Sequence, residues 1–159
     1  MKLAARIDAI VERLVVSGID IEAIAHAPWI RILDIEYRIG RSLPPTYREL
    51  VLRYTFPSIE LGPIILFSNR GDHSYDDVSS APFKDPILSP WLLRSGFFHI
   101  ARTSCDDYDP VCLELKSPQY PREVSPVIKF NHEAILIEDA TVPCCVIAKS
   151  FLGLLEDHA

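Results

Sequence analysis

The sequence predicts an α+β protein with a mostly antiparallel sheet of about five or six strands and helices packed against it. Helical periodicity fills the first forty residues, and short β-rich runs between turn signals follow. Twelve of the thirteen prolines lie after residue 40. A last apolar segment predicts a closing C-terminal helix. The length of 159 residues fits one domain, which we predict over residues 1–159.

Residues 1–28 are predicted to form a helical N-terminal extension. The first helix carries one apolar stripe with steps of three and four: Leu3, Ile7, Ile10, Val11, Leu14 and Val15. Gly18 is suited to end this helix. Asp20 is suited to cap a short second helix through Ala25.

The next segment is also predicted to be helical. Pro28 suits the first turn of a helix over Trp29 to Ile39, which Gly40 ends. Pro44 and Pro45 break the chain, and a further helix follows over Thr46 to Tyr54.

Beyond residue 57 the sequence predicts strands. The candidates are Ile64 to Phe67, Phe97 to Ala101, Val111 to Leu115, Val127 to Phe130 and Ile135 to Ile137. Between Ser68 and Gly96 the polar, proline-rich stretch predicts a loop with one short helix. Pro143 to Glu156 is predicted as the closing helix, with Val146, Ile147, Phe151, Leu154 and Leu155 on its apolar side.

The charge distribution restricts the classes of partner. The net charge of −6 arises entirely after residue 60, where eight Lys/Arg face fourteen Asp/Glu. An acidic field repels phosphate backbones and favours basic partners, so we predict no nucleic-acid binding. No stretch reaches the roughly 18 apolar residues of a membrane helix. Charges within Met1 to Val16 interrupt any signal-peptide core, so we expect a soluble, cytoplasmic protein without a membrane partner.

Two acidic segments that contain tyrosine are the candidate partner-binding residues. The first consists of Asp72, Tyr75, Asp76 and Asp77, and the second of Asp106, Asp107, Tyr108 and Asp109. Tyrosine would supply contact area and the carboxylates charge complementarity. The alternative for the first is a solvated acidic loop. In the second, Asp109-Pro110 is also suited to a turn. The second segment lacks the glycine and later glutamate of a calcium-binding loop, so no metal is predicted.

The residues that could act in catalysis have simpler explanations as structural residues. His99 lies within an apolar run, which favours a structural histidine over a general base. His132-Glu133 follows a strand, and we interpret this pair as a structural feature of the strand end rather than as a catalytic pair. Cys105 and Cys112 lack the basic surroundings of reactive thiols, and we expect all four cysteines to be free thiols. The sequence therefore predicts no enzyme, no metal and no cofactor. An enzyme would need His99, His132 and an acidic residue in one cleft.

The segment Leu33 to Tyr54 resembles the N-terminal signature of the SUKH superfamily, the Smi/Knr-type family that includes immunity proteins. The matching residues are Glu36, Ile39, Gly40, Leu43, Pro44 and Tyr47. Residues 107–113, 125–133 and 147–155 resemble later family motifs in the same order, so the likeness covers about residues 30–156. Tyr54-Thr55-Phe56-Pro57 stands where the family often has an Asn-Gly turn.

The resemblance implies a function without catalysis. SUKH-type immunity proteins bind and neutralise bacterial toxins, often nucleases, and this would make the partner a basic toxin domain. The superfamily also includes regulators of fungal cell-wall synthesis, so a regulatory scaffold or adaptor is the alternative. Gly40, the prolines and the apolar helix face explain a fold rather than a chemical step. The contact surface is therefore expected in the acidic segments after residue 68.

Overall fold

The computed structural model describes residues 2–24, 29–71, 75–105, 109–115, 125–138 and 143–159. The helices are α1 (Leu3–Val16), α2 (Trp29–Ile39), α3 (Pro45–Arg53), α4 (Ala81–Lys84), α5 (Leu88–Ser95), α6 (His132–Glu138) and α7 (Phe151–Asp157). The strands are β1 (Glu22–Ala23), β2 (Tyr54–Thr55), β3 (Ile59–Leu61), β4 (Ile64–Leu66), β5 (Phe97–Thr103), β6 (Pro110–Glu114), β7 (Val127–Phe130) and β8 (Pro143–Ala148). The predicted α+β class is confirmed. Within the described residues, no helix has the length and apolar character needed to cross a membrane.

Helix α1 packs against α3 through its apolar stripe, and Ile7, Ile10, Val11 and Leu14 are buried. Gly18 has a φ of +97°, the left-handed geometry that favours glycine where the chain leaves a helix. Two ion pairs tie α1 to distant parts of the chain. Helix α1 therefore belongs to the main fold.

The predicted short helix from Asp20 to Ala25 is wrong where the structure describes it. Glu22 and Ala23 form β1 and pair antiparallel with Thr55 and Tyr54. The backbone N–H of Ile24 donates to the Arg53 carbonyl at 2.9 Å. The end of α3 thus offers backbone partners that local capping propensity does not take into account. Ala25 lies outside the described residues.

The turn between α2 and α3 follows the sequence prediction. Gly40 has a φ of +66°, and Pro45 occupies the first turn of α3. An Oε1 atom of Glu36 accepts hydrogen bonds from the backbone N–H of Leu43 and from Nε of Arg48, both at 2.9 Å. Glu36 therefore fixes the angle between the two helices.

Strands β3 to β8 form one antiparallel sheet in sequence order. One face packs into the main hydrophobic core, to which α1, α2, α3 and α7 contribute. Tyr47 of α3 lies at its centre, with ring centroids 5.3 Å from Phe151 and 6.4 Å from Phe98. The other face carries a smaller cluster built from Trp91, Leu92, Cys112, Phe130 and Ile135.

Three further predictions need correction, and one strand of the six-stranded sheet was not predicted. Ile135 to Ile137 lie in α6 rather than in a strand, because the Asn131 side chain accepts from Ala134 N at 2.9 Å and starts a helix. Pro143–Ala148 is strand β8, and only the segment from Phe151 onwards is the closing helix. The region between Ser68 and Gly96 contains two helices, α4 and α5. Strand β3 was not predicted.

Candidate functional site

Asp77 organises the loop that contains the first acidic segment. Its side chain is fully buried and accepts hydrogen bonds from the backbone N–H groups of Gly71 and Ser79, each at 2.8 Å, and from the Ser79 hydroxyl. An isolated bridge between Ser68 and Asp77 closes the loop at its base. Because its oxygens are bound inside the protein, Asp77 is not available to a partner in this conformation.

Asp76 forms an ion pair near the end of strand β5. One of its carboxylate oxygens lies 3.1 Å from Nε of Arg102 on β5. Arg102 is the register partner of Pro110 on β6, and Asp109 immediately precedes Pro110. The segments around residues 76 and 109 therefore both lie near the end of β5, which sequence spacing alone did not predict.

Asp109 is also buried, with 7% of its surface exposed. One oxygen accepts from the backbone N–H of His132 at 3.0 Å and lies 2.8 Å from its ring Nδ1. The other lies 3.2 Å from Nζ of Lys129. This carboxylate joins the start of β6 to the start of α6, which is a structural role.

The described carboxylates of the two acidic segments thus have partners within the protein. Arg102 offsets Asp76, and Lys129 offsets Asp109. Asp72, Asp106, Asp107 and Tyr108, which the sequence also assigns to partner binding, lie outside the described residues. Of the predicted contact residues that the structure describes, Tyr75 is the one that projects fully, with 76% of its surface exposed.

Tyr75 and Tyr37 are exposed on two segments that the contact between Phe83 and Arg38 joins, a grouping that the sequence did not predict. The ring centroid of Tyr75 lies 4.9 Å from Nζ of Lys84. The ring centroid of Phe83, the residue before Lys84, lies 3.6 Å from Cζ of Arg38. Tyr37, beside Arg38 on α2, is 87% exposed. We call this the tyrosine surface, and define it by Leu33, Tyr37, Arg38, Tyr75, Phe83 and Lys84.

The tyrosine surface contains exposed apolar area on α2. Leu33 is 47% exposed and precedes Tyr37 by four residues, so both side chains lie on one face of the helix. In the sequence, the signal was the four-residue spacing of Leu33 and Tyr37, which puts them on a different side of the helix from Ile32 and Ile35. The structure buries these two isoleucines. Joining them to Tyr75 required the tertiary contact between Arg38 and Phe83.

Two arginines of α2 hold the loop beneath Tyr75. Nη1 of Arg38 donates to the Ser79 carbonyl at 3.0 Å, and Nη1 of Arg31 donates to the Arg70 carbonyl at 2.9 Å. A pocket between α2, α3 and this loop has a free volume of only about 10 Å³, which is room for roughly one water molecule. The described part of the loop is therefore closely packed on α2, and this packing fixes the backbone next to Tyr75.

The two histidines considered for catalysis have different neighbours. His132 contacts Asp109, and the His99 ring contacts Phe67 with centroids 4.8 Å apart. Nε2 of His99 is buried without a hydrogen-bond partner among the described residues. Burial lowers the pKa of His99 to about 4, so this ring is neutral at pH 7.

The cysteines whose state the structure describes are free thiols. Cys105 and Cys145 are exposed and Cys112 is buried, and this burial raises the pKa of the Cys112 thiol. The part of the chain that the structure describes contains no group of three or more His, Cys, Asp or Glu side chains arranged to hold a metal ion.

Comparison with known proteins adds no relative. No protein-family model matches the chain, and a search of curated proteins gives no match. The resemblance to the SUKH superfamily rests on the sequence motifs alone.

Proposed function

We propose that this chain is a non-catalytic protein-binding domain, an immunity protein that binds and neutralises a bacterial toxin in the cytoplasm. The observation that carries the protein-binding part is the pair of exposed tyrosines, Tyr37 at 87% and Tyr75 at 76%. Tyrosine and arginine are the residues that most often dominate the binding energy of protein interfaces. The resemblance of Leu33 to Tyr54 to the SUKH signature supports the immunity role.

The tyrosine surface is suited to binding because its base is already ordered. Arg38 stacks on Phe83 and donates to the Ser79 carbonyl, so the contact between α2 and the loop exists before a partner arrives. A preformed surface loses less conformational entropy on association than a mobile one. The proposed partner would bury the two phenol rings between cations and apolar side chains.

The charge of the whole chain supports a basic partner, such as a nuclease domain. A net charge of −6 attracts a basic toxin over long range and speeds encounter. The charged members of the tyrosine surface, Arg38 and Lys84, are both cations, and Asp34 is exposed one helical turn before Arg38. Net charge would therefore govern the association rate, whereas the tyrosines would govern the dissociation rate.

The test is co-expression with the toxin encoded beside this gene, followed by purification of the complex and a measurement of its affinity. The expected results are cell protection and a stable complex. Tyr37→Ala combined with Tyr75→Ala should weaken that complex by about a hundredfold, which corresponds to roughly 2.7 kcal/mol. Toxin-expressing cells that die, with no complex recovered, would contradict the proposal.

The matched control is Val16→Ala. Val16 is 89% exposed at the end of α1 and lies outside the tyrosine surface, so this variant should bind as the wild type does. Equal loss in both variants would show that binding does not use the tyrosine surface. A complex that forms without protecting cells would favour the regulatory scaffold or adaptor over the immunity protein.

A further inference from the structure

The apolar layer on the second face of the sheet continues beyond the helices that cover it. Register pairing places His99, Cys112, Ile128 and Val146 in one row across β5, β6, β7 and β8. Cys112 is fully buried, and Ile128 packs against the cluster that contains Trp91 and Ile135. Val146, at the end of the row, is 60% exposed. The layer therefore reaches the surface at β8.

Helix α6 adds two further exposed apolar side chains. Ile135 is buried in the cluster, but Leu136 is 49% and Ile137 81% exposed. Ile135 of α6 and Ile128 of β7 pack in one cluster, and Ile128 is the register partner of Val146. Large apolar side chains that are exposed together, rather than singly, mark interaction surfaces.

β8 is also an edge strand without charge. It ends the sheet at one side, and its sequence, Pro-Cys-Cys-Val-Ile-Ala, contains no ionisable Lys, Arg, Asp or Glu. The opposite edge, β3, has three residues with Glu60 exposed at its centre. Short length and charge are common protections of sheet edges against pairing, and β8 has neither.

We propose that two copies of this chain associate through β8, pairing antiparallel about a two-fold axis so that one six-stranded sheet continues into the next. An edge strand offers unpaired backbone N–H and C=O groups, and among the described residues no strand pairs with the outer side of β8. These groups otherwise bind water, and another strand would pair with all of them in one ladder.

Charge favours a second copy of β8 as that strand. Two uncharged strands meet without like charges opposite each other, although each chain has a net charge of −6. Pairing through β3 would instead bring Glu60 to the contact. In a two-fold arrangement the same patch serves both subunits, so the exposed Val146, Leu136 and Ile137 of each copy would be covered together.

Sedimentation velocity of the full chain over a hundred-fold range of concentration tests this. The wild type should form a dimer, and Val146→Lys should raise the dimer dissociation constant about tenfold or more, because it puts like charges into the contact. Val16→Lys, a lysine at another exposed valine, should leave the dimer unchanged. If Val146→Lys does not fold, Cys145→Lys tests another exposed position of the same strand.

A cross-linking experiment locates the contact. In a background with Cys105→Ser and Cys144→Ser, a short bismaleimide should link two chains through the exposed Cys145, and a further Cys145→Ser should abolish the product. A chain that stays monomeric at all concentrations would overturn the proposal, as would a dimer that Val146→Lys and Cys145→Lys leave intact. Loss of toxin binding in these variants, with a monomeric wild type, would assign the edge to the partner instead. The Tyr37 and Tyr75 variants should still dimerise.

Discussion

His99 is a titratable side chain in the interior of the sheet, and its environment predicts a pH effect on stability. Its pKa falls to about 4 through burial, against 6.5 in the unfolded chain. Between these values the unfolded state binds more protons than the folded state, so stability falls as the pH drops below about 6.5. The contribution of His99 to this loss between pH 7 and pH 5 is about 2 kcal/mol.

His99→Phe should remove that contribution. Phenylalanine keeps an aromatic ring against Phe67 but cannot take up a proton. Urea unfolding at pH 7 and pH 5 gives the free energy of unfolding for both proteins. The loss between the two pH values should be about 2 kcal/mol smaller in the variant. An equal loss in both would show that His99 is not the group that resists protonation.

At the residue scale, the described acidic candidates are buried or paired with other groups of the protein. Asp76, Asp77 and Asp109 stand in acidic, tyrosine-containing sequence, and that context predicts a solvated contact loop. The partners of Asp77 lie in its own loop, at Gly71 and Ser79. Those of Asp76 and Asp109 lie on other segments, Arg102 and His132 respectively. A sequence does not reveal such distant partners. It did reveal Gly40 and Tyr47, because a left-handed glycine and a periodic apolar position are local signals.

At the element scale, β8 and α7 show where periodicity misleads. The run from Pro143 to Glu156 has helical spacing, yet its first part pairs with β7 and becomes a strand. Strand propensity depends on tertiary context, and apolar residues fit either structure. The second part is helical because Ser150 stops the strand and caps α7, its Oγ accepting from Gly153 N at 2.9 Å. A serine in an assumed helix was the signal for this boundary.

Ser150→Ala should destabilise the protein by about 1 kcal/mol, the usual cost of losing an N-cap. The loss should appear in global unfolding, because α7 contributes the buried Phe151, Leu154 and Leu155 to the main core. Chemical denaturation at pH 7 measures it. Ser150→Asp keeps a capping oxygen and should retain most of the stability. If Ala and Asp behave alike, the hydrogen bond to Gly153 is not the cause.

At the scale of the whole molecule, the main core joins elements from both ends of the chain. Ile7 and Leu14 of α1 belong to the same buried cluster as Phe98 of β5 and Leu155 of α7. The sequence predicted the apolar stripe of α1 but could not say what it packs against. Packing against α3 and an Arg6–Glu156 ion pair of 2.7 Å now give α1 a place in the fold.

This arrangement predicts that residues 1–159 unfold as one unit, although the N-terminal segment looks like an extension in the sequence. Leu14 is fully buried, so Leu14→Ala should cost about 2–5 kcal/mol through lost burial and a cavity. Because the cavity lies in the shared core, hydrogen exchange in β5 and β6 should accelerate together with exchange in α1. The exposed Val15 gives the control: Val15→Ala should change the strands little. Faster exchange confined to α1 in Leu14→Ala would instead make α1 a separately unfolding segment and contradict a single cooperative domain.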